Sequence, residues 1–233
     1  MTRLLATLRR DVTLQYRNGF YLASAFVVLV CIPLLGSFPA WSLPVVLPAF
    51  VLNAVHIGTF LAIGALVLLE KGEGTLAGSV VTPLRDAEYL ASKSASLTLL
   101  SLLECLVIAA FLFGLHAQLL WLLLGTALLG TTYTMIGFVA IARYDSINEY
   151  LLPASAVTAF LMAPLVEQLA GWRHPLFLLH PVEPALVLLR AAFGEATTLG
   201  IAYGIGGGLF WAGLTFWWAR LSFRRFVVRT VGT

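Results

Sequence analysis

The chain has 233 residues, of which 60% are apolar and 11% charged, with a formal net charge of +3. An ordinary soluble domain carries roughly 25% charged residues, so this composition excludes a soluble globular protein and points to an integral membrane protein. Apolar runs occupy most of the length, leaving no segment of soluble-domain size and therefore no room for a soluble catalytic module on the same chain.

Residues 1–19 form a basic leader. Arg3, Arg10 and Arg17 recur every seven residues, while Leu4, Leu5, Leu8, Val12 and Tyr16 fall on the opposite helical face, as in an amphipathic helix lying flat on a membrane. The first apolar run, which follows the leader, has no evident cleavage site and is expected to be a retained anchor. Six apolar runs then match the thickness of a bilayer core: Phe20 to Phe38, Val45 to Leu69, Ala95 to Leu115, Leu119 to Ile141, Tyr150 to Leu169, and Thr197 to Ala219. In the second run Phe50, Asn53, His56 and Phe60 recur at spacings of three and four, one stripe of aromatic and polar groups that could line a pathway or hold helices together.

Between the second and third runs, residues 70–93 ("EKGEGTLAGSVVTPLRDAEYLASK") hold both lysines and four of the eleven acids. Gly72 and Gly74 permit a sharp exit from the membrane, and Gly74-Thr75 opens a short predicted helix with Leu76, Val80 and Leu84 along one apolar edge. Thr82-Pro83 caps the next helix, with Asp86 and Glu88 at its positive end. Such an edge exposed to the cytosol would be a docking surface.

Glu104 lies midway along the third run, where an ionised carboxylate costs roughly 3 kcal/mol unless paired or protonated, so it is expected to face the bundle interior. Pro153 and Pro164 invite kinks in the fifth run, and Glu167 sits near its outer end. The stretch "RHPLFLLHPVEPALVLLRAAFGE" within residues 171–196 is broken by His180, Pro181, Glu183 and Pro184, and is expected to form two short helical pieces dipping into the outer leaflet. Gly200, Gly204 and Gly208 share one face of the last run, suited to close helix packing within the subunit or to a dimer seam.

Twelve of the fourteen basic residues fall on the side of the termini, Arg173 and Arg190 being opposite, which places both termini in the cytoplasm. The net charge then reports orientation and the anionic inner leaflet, without a nucleic-acid partner. Cys31 and Cys105 both lie within apolar runs and read as small hydrophobes. The four histidines are scattered, with no H-E-x-x-H, no G-x-S-x-G and no metal-ligand spacing. Lys93-Ser94 ends like a phosphate-binding loop, but Ser92 and Ala87 stand where glycines are required. No catalytic site, nucleotide site or cofactor is expected on this chain.

The region after the second run resembles the membrane subunits of type-2 ABC exporters, whose signature is an acidic-basic pair, Gly-Thr-Leu, Thr-Pro or Ser-Pro, then Glu and Lys opening the third span. Those positions are Glu70, Lys71, Gly74, Thr75, Leu76, Thr82, Pro83, Glu88 and Lys93. The resemblance covers the whole chain, with His180-Pro181 and Arg190 similar to the family's outer Asn-Pro and downstream Arg. Gly72, where relatives carry a charge, and His180 in place of Asn depart from it. "VTPLRDAEYLASK" is similar to the "STPLRxxEYLAxK" run of the small fluoroquinolone-export permeases.

The resemblance implies an all-α integral membrane fold in one transmembrane domain, residues 1–233. It comprises an interfacial helix at 1–19, six spans, a cytoplasmic coupling helix at about Gly74 to Val81, and an outer broken helix pair before the last span. It implies a permease subunit in a prokaryotic cell membrane that exports drugs or other amphipathic molecules, with a second permease subunit, identical or not, and a cytoplasmic ABC ATPase that holds ATP and Mg. Glu70, Lys71, Gly74, Thr75, Leu76, Val80, Pro83, Glu88 and Lys93 would then serve ATPase coupling, and Phe50, Asn53, His56, Phe60, Glu104 and Glu167 are candidate pathway residues. Two other readings stay open: an ion-coupled carrier using Glu104 and His56, and an intramembrane enzyme using outer His and Glu residues.

Overall fold

The computed structural model describes residues 3–76, 85–113, 119–171, 174–194 and 197–228. Among these residues the chain is helical, without strands. The helices are α1 (Arg3–Arg17), α2 (Phe20–Gly36), α3 (Leu43–Val55), α4 (Ala62–Gly72), α5 (Asp86–Phe113), α6 (Leu119–Ile141), α7 (Ile147–Leu161), α8 (Pro164–Ala170), α9 (Glu183–Ala191) and α10 (Thr198–Phe223). A π-helical segment, His56–Leu61, joins α3 to α4 without a break, and another, Arg224–Val228, continues α10.

Four helical stretches are long and apolar enough to cross a bilayer: Leu43–Gly72, Asp86–Leu112, Leu119–Ile141 and Thr198–Val227. Two bent pairs, α1 with α2 at 64° and α7 with α8 at 45°, raise the number to six if each pair makes one crossing. The first bend has a local cause. Asn18 donates to the Leu14 carbonyl at the end of α1, and Gly19 takes φ +75°, the left-handed conformation that stops a helix with least strain. The second falls at Pro164, whereas Pro153, also expected to kink, is accommodated inside α7.

Helix α6 is the axis of the bundle, packed against α5, α9, α10, α4 and the π-helical segment. Its glycines make this possible. A Cβ on Gly137 would lie 2.6 Å from Ile63 Cγ2 and 2.8 Å from the Phe60 carbonyl oxygen, and one on Gly130 would lie 2.9 Å from Thr98 Oγ1. Gly204 and Gly208 of α10 likewise face Leu188 and Leu128, so these two glycines of the predicted stripe pack within the subunit. The outward faces carry Leu22, Phe26 and Leu29 on α2, Leu152 and Phe160 on α7, and Leu199, Phe210 and Trp217 on α10, all exposed. Such a continuous apolar exterior is stable in lipid, not in water.

The two pieces of the stretch expected to be broken differ from each other. The 3-10 turn Pro175–Leu179 exposes Leu176, Leu178 and Leu179. Helix α9 instead buries Ala185, Leu186, Leu188 and Leu189 against α6 and α10 and belongs to the bundle wall. The leader also has a second face: Leu4, Leu5 and Tyr16 are exposed, while Asp11, Leu14 and Gln15 are buried against α5.

Because the Phe60 carbonyl is backbone and cannot step aside, Gly137→Ala is expected to cost about 1–3 kcal/mol by overpacking. A depressed melting temperature in detergent, with Gly206→Ala unchanged because nothing lies within 4 Å of its Cβ position, is the expected pair of results.

Candidate functional site: two ionic ends and a lateral groove

The charged stretch is held from both flanks. Glu70 lies near the end of α4, and Tyr89, Ser92 and Lys93 come within the first turns of α5. Lys93 Nζ donates to Glu70 Oε1 at 2.6 Å and to Asp11 Oδ1 of α1 at 2.7 Å, with its side chain 0% exposed. The second oxygens are also satisfied, Tyr89 OH donating to Glu70 Oε2 at 2.6 Å and Ser92 Oγ to Asp11 Oδ2. Gln15 Nε2 donates to Ser96 Oγ one turn on, at 2.8 Å. Two carboxylates, one ammonium and two hydroxyls thus form a closed network in the apolar interior, a geometry in which buried charge is tolerated.

The remaining expected coupling residues have separate local roles. Lys71 Nζ donates to the Ala142 and Tyr144 carbonyls at 3.0 and 2.6 Å and to Asp145 Oδ1 at 2.9 Å, capping the C-terminal end of α6. Glu88 Oε2 accepts from the Arg85 backbone N–H at 2.9 Å, the reciprocal half of a capping box at the start of α5. Gly74 takes φ +68°, the sharp exit expected, and Thr75 Oγ1 donates to the Glu70 carbonyl at 3.3 Å. Leu76 departs from expectation. It is 4% exposed and belongs to the core, so it is not on a free apolar edge of this subunit. Val80, Thr82 and Pro83, and most of the predicted coupling helix, lie outside the described residues. Asp86 also ties α5 to the last helix, accepting from Arg224 Nε at 2.6 Å and from Arg220 Nη2 at 3.4 Å.

At the opposite end Arg190 of α9 gathers three partners. Its Nη1 meets Glu183 Oε1 at 3.1 Å and Glu167 Oε1 at 3.4 Å, and its Nε donates to Gln168 Oε1 at 2.6 Å. Gln168 Nε2 in turn donates to the Val45 carbonyl at 2.9 Å, joining α8 to α3. Glu167 is therefore placed in an ion pair. His180 Nδ1 accepts from the Val182 backbone N–H at 3.2 Å, which leaves Nε2 as donor to the Phe160 carbonyl at 3.1 Å. An Asn would accept through its side-chain oxygen in the same two-residue turn. Burial pulls the His180 imidazole below its usual pKa, partly offset by the bond to Phe160, and favours the neutral ring this arrangement needs.

The predicted stripe of the second run does not stay together. Asn53, in α3, is exposed, while His56 and Phe60, in the π-helical segment, are buried. His56 stacks on Phe60 with centroids 4.7 Å apart, meets Tyr133 edge-on at 5.1 Å, and its Nε2 lies 3.1 Å from Thr158 Oγ1. Phe50 is half-buried on α3. Glu104 stands apart from them, hydrogen-bonded by Ser24 of α2 and lining a cavity of about 350 Å³ between α2, the π-helical segment with α4, and α5. Among the described residues no cluster of His, Cys, Asp and Glu could hold a metal ion.

Asp11, Ser24, Tyr89 and the α10 arginines are partners that sequence reasoning missed. One signal for Asp11 exists: it is the single acid in the first 69 residues, set among arginines.

A helical chain with an apolar exterior and ionic networks at both ends is built as a multi-pass membrane protein. The sequence matches the Fluoroquinolones export permease protein family over residues 2–231. Fluoroquinolones export permease proteins from two strains of Mycobacterium tuberculosis are each 35% identical to it over 198 residues, covering 84% of this chain and 84% of each relative. The chain belongs to the fluoroquinolones export permease family.

Lys93→Met would leave two buried carboxylates facing each other, and a loss of about 3–5 kcal/mol is expected. Combining it with Asp11→Asn should restore part of the lost melting temperature. At the outer end His180→Asn should melt within experimental error of the parent, whereas His180→Ala, which leaves the Val182 N–H without its acceptor, should cost about 1 kcal/mol.

Proposed function

We propose that this chain is the permease subunit of an ATP-driven exporter of the type-2 class. It would move drugs or other amphipathic small molecules out of the cytoplasm. Its six spans form one domain, 1–233, with both termini in the cytoplasm. It works with a second permease subunit and with a cytoplasmic ABC ATPase that holds ATP and Mg and performs the hydrolysis. The observation that carries this reading is the Asp11–Lys93–Glu70 network. It binds the leader helix and both ends of the 70–93 stretch into one body, so a push on that stretch would be passed to α1, α4 and α5 together rather than absorbed by a loose loop. The names of the relatives support export of fluoroquinolones as the activity to assay first.

In this reading Glu70, Lys71, Thr75, Glu88 and Lys93 set the shape of the coupling region from behind, Gly74 turns it, and Leu76 anchors it, while Val80 and Pro83 belong to the contact itself. Val80→Asp is therefore the cleaner test than any change at Leu76. The variant should insert and melt like the parent, yet lose co-purification with the ATPase and ATP-dependent lowering of fluoroquinolone accumulation, because an unpaired charge would be buried at the contact. Wild-type accumulation by the Val80→Asp variant would overturn the coupling assignment. Glu104 carries no cation among the described residues, which favours ion coupling as a second reading. Export that persists without an ATPase and collapses with an uncoupler would establish it instead.

A further inference from the structure

The cavity beside Glu104 has the makings of a ligand site. It runs along α2 from Phe20 to Val27, roughly 10 Å of helix rise, starting at the Asn18–Gly19 elbow and passing the Glu104 carboxylate at the level of Ser24 and Gly58. The facing wall carries Ile57 and Leu61 together with the small residues Ala54, Gly58, Ala62 and Ala65, which leave room where larger side chains would close the gap to α2. Almost all of the lining is apolar. Asn18 at the mouth, Ser24 and Glu104 are the polar side chains, so the cleft offers a single charge on an otherwise oily wall.

That charge is incompletely provided for. Ser24 Oγ donates to Oε1 of Glu104, while Oε2 has no hydrogen-bond partner and no Lys or Arg pairs with the carboxylate among the described residues. The other buried carboxylates of the molecule are arranged differently: Asp11 and Glu70 share Lys93, and Glu183 and Glu167 share Arg190. A carboxylate that only holds two helices together has no use for an adjoining cavity of about 350 Å³, a volume suited to a small organic molecule.

We propose that this groove is a binding site for hydrophobic organic cations, with the apolar body of the ligand lying along α2 and its positive charge meeting Glu104 Oε2. The site deepens the export reading above, and its part in transport rests on that reading. An unpaired carboxylate within a membrane-spanning helix is a costly feature that a bound cation relieves, and the low dielectric strengthens the attraction relative to water. The elbow at Asn18–Gly19 makes the groove accessible from the edge of the bundle, where amphipathic cations collect. Selectivity comes from the same chemistry: a neutral molecule of equal shape gains the apolar contacts and forgoes the ion pair.

The test is saturable binding of tetraphenylphosphonium to the full-length chain in nanodiscs, compared with Glu104→Gln, Glu104→Asp and Ala65→Phe. Gln keeps an oxygen for Ser24 and removes only the charge, so Glu104→Gln should fold like the parent and bind about tenfold more weakly. Glu104→Asp should retain most of the affinity, and Ala65→Phe, which fills the wall opposite α2 without touching the carboxylate, should weaken binding comparably to Glu104→Gln. Unchanged affinity in Glu104→Gln overturns the proposal, as does the absence of saturable binding to the parent. Conversion of a dimer to monomers by Ala65→Phe, with tetraphenylphosphonium affinity intact, also overturns it and identifies the groove as a seam between copies. Fluoroquinolone accumulation in cells with the ATPase is measured in parallel. Glu104-dependent cation binding without export would sink the export reading and leave the site standing, and export without cation discrimination would do the reverse.

Discussion

The conformation of the charged end of this permease depends on one ammonium group. Lys93 lies fully buried between Asp11 and Glu70, with Tyr89 and Ser92 completing the coordination of the two carboxylates. In a low-dielectric interior each of these charges would be prohibitive alone. Their mutual dependence means that α1, the end of α4 and the start of α5 reach this arrangement together or not at all. Lys71 and Asp86 extend the same logic outward, the one closing the end of α6 and the other holding the last helix. The concentration of charge at residues 70–93 is thus largely an internal joint.

The opposite end repeats the device with the same polarity, one cation shared by two carboxylates. There one guanidinium, Arg190, sits among Glu167, Glu183 and Gln168, and its planar fork suits several partners at once. Between the two ionic ends the bundle is held by close helix approach at glycines and by aromatic packing around His56, Phe60 and Tyr133. The irregular backbone of the second span falls in this middle zone.

Several site residues were legible because their chemistry is unusual for their surroundings. A carboxylate in an apolar run, as at Glu104, or two lysines in a chain otherwise using arginine, as at Lys71 and Lys93, stand out against composition alone. What could not be read was the partner. Asp11 and Lys93 are 82 positions apart, and Ser24 and Glu104 are 80. No periodicity within one helix reports which face of another helix it will meet. The Phe50 to Phe60 stripe divides because spacing along one helix does not say which of its positions a neighbouring helix will cover: His56 and Phe60 stack in the interior, while Asn53 stays exposed.

The amino-acid sequence by itself determined that this is a helical membrane protein, where its apolar runs begin and end, that the outer stretch breaks at His180-Pro181, and to which family it is similar, because hydropathy, proline and glycine act locally and a motif is read along the chain. Only the tertiary structure decided that Leu76 is core, that Glu70 and Lys93 face each other and Asp11, and that Glu104 borders a groove. Those outcomes depend on which helices come into contact, and buried charges select the arrangement that pairs them, since an unpaired one in lipid or protein interior costs several kcal/mol.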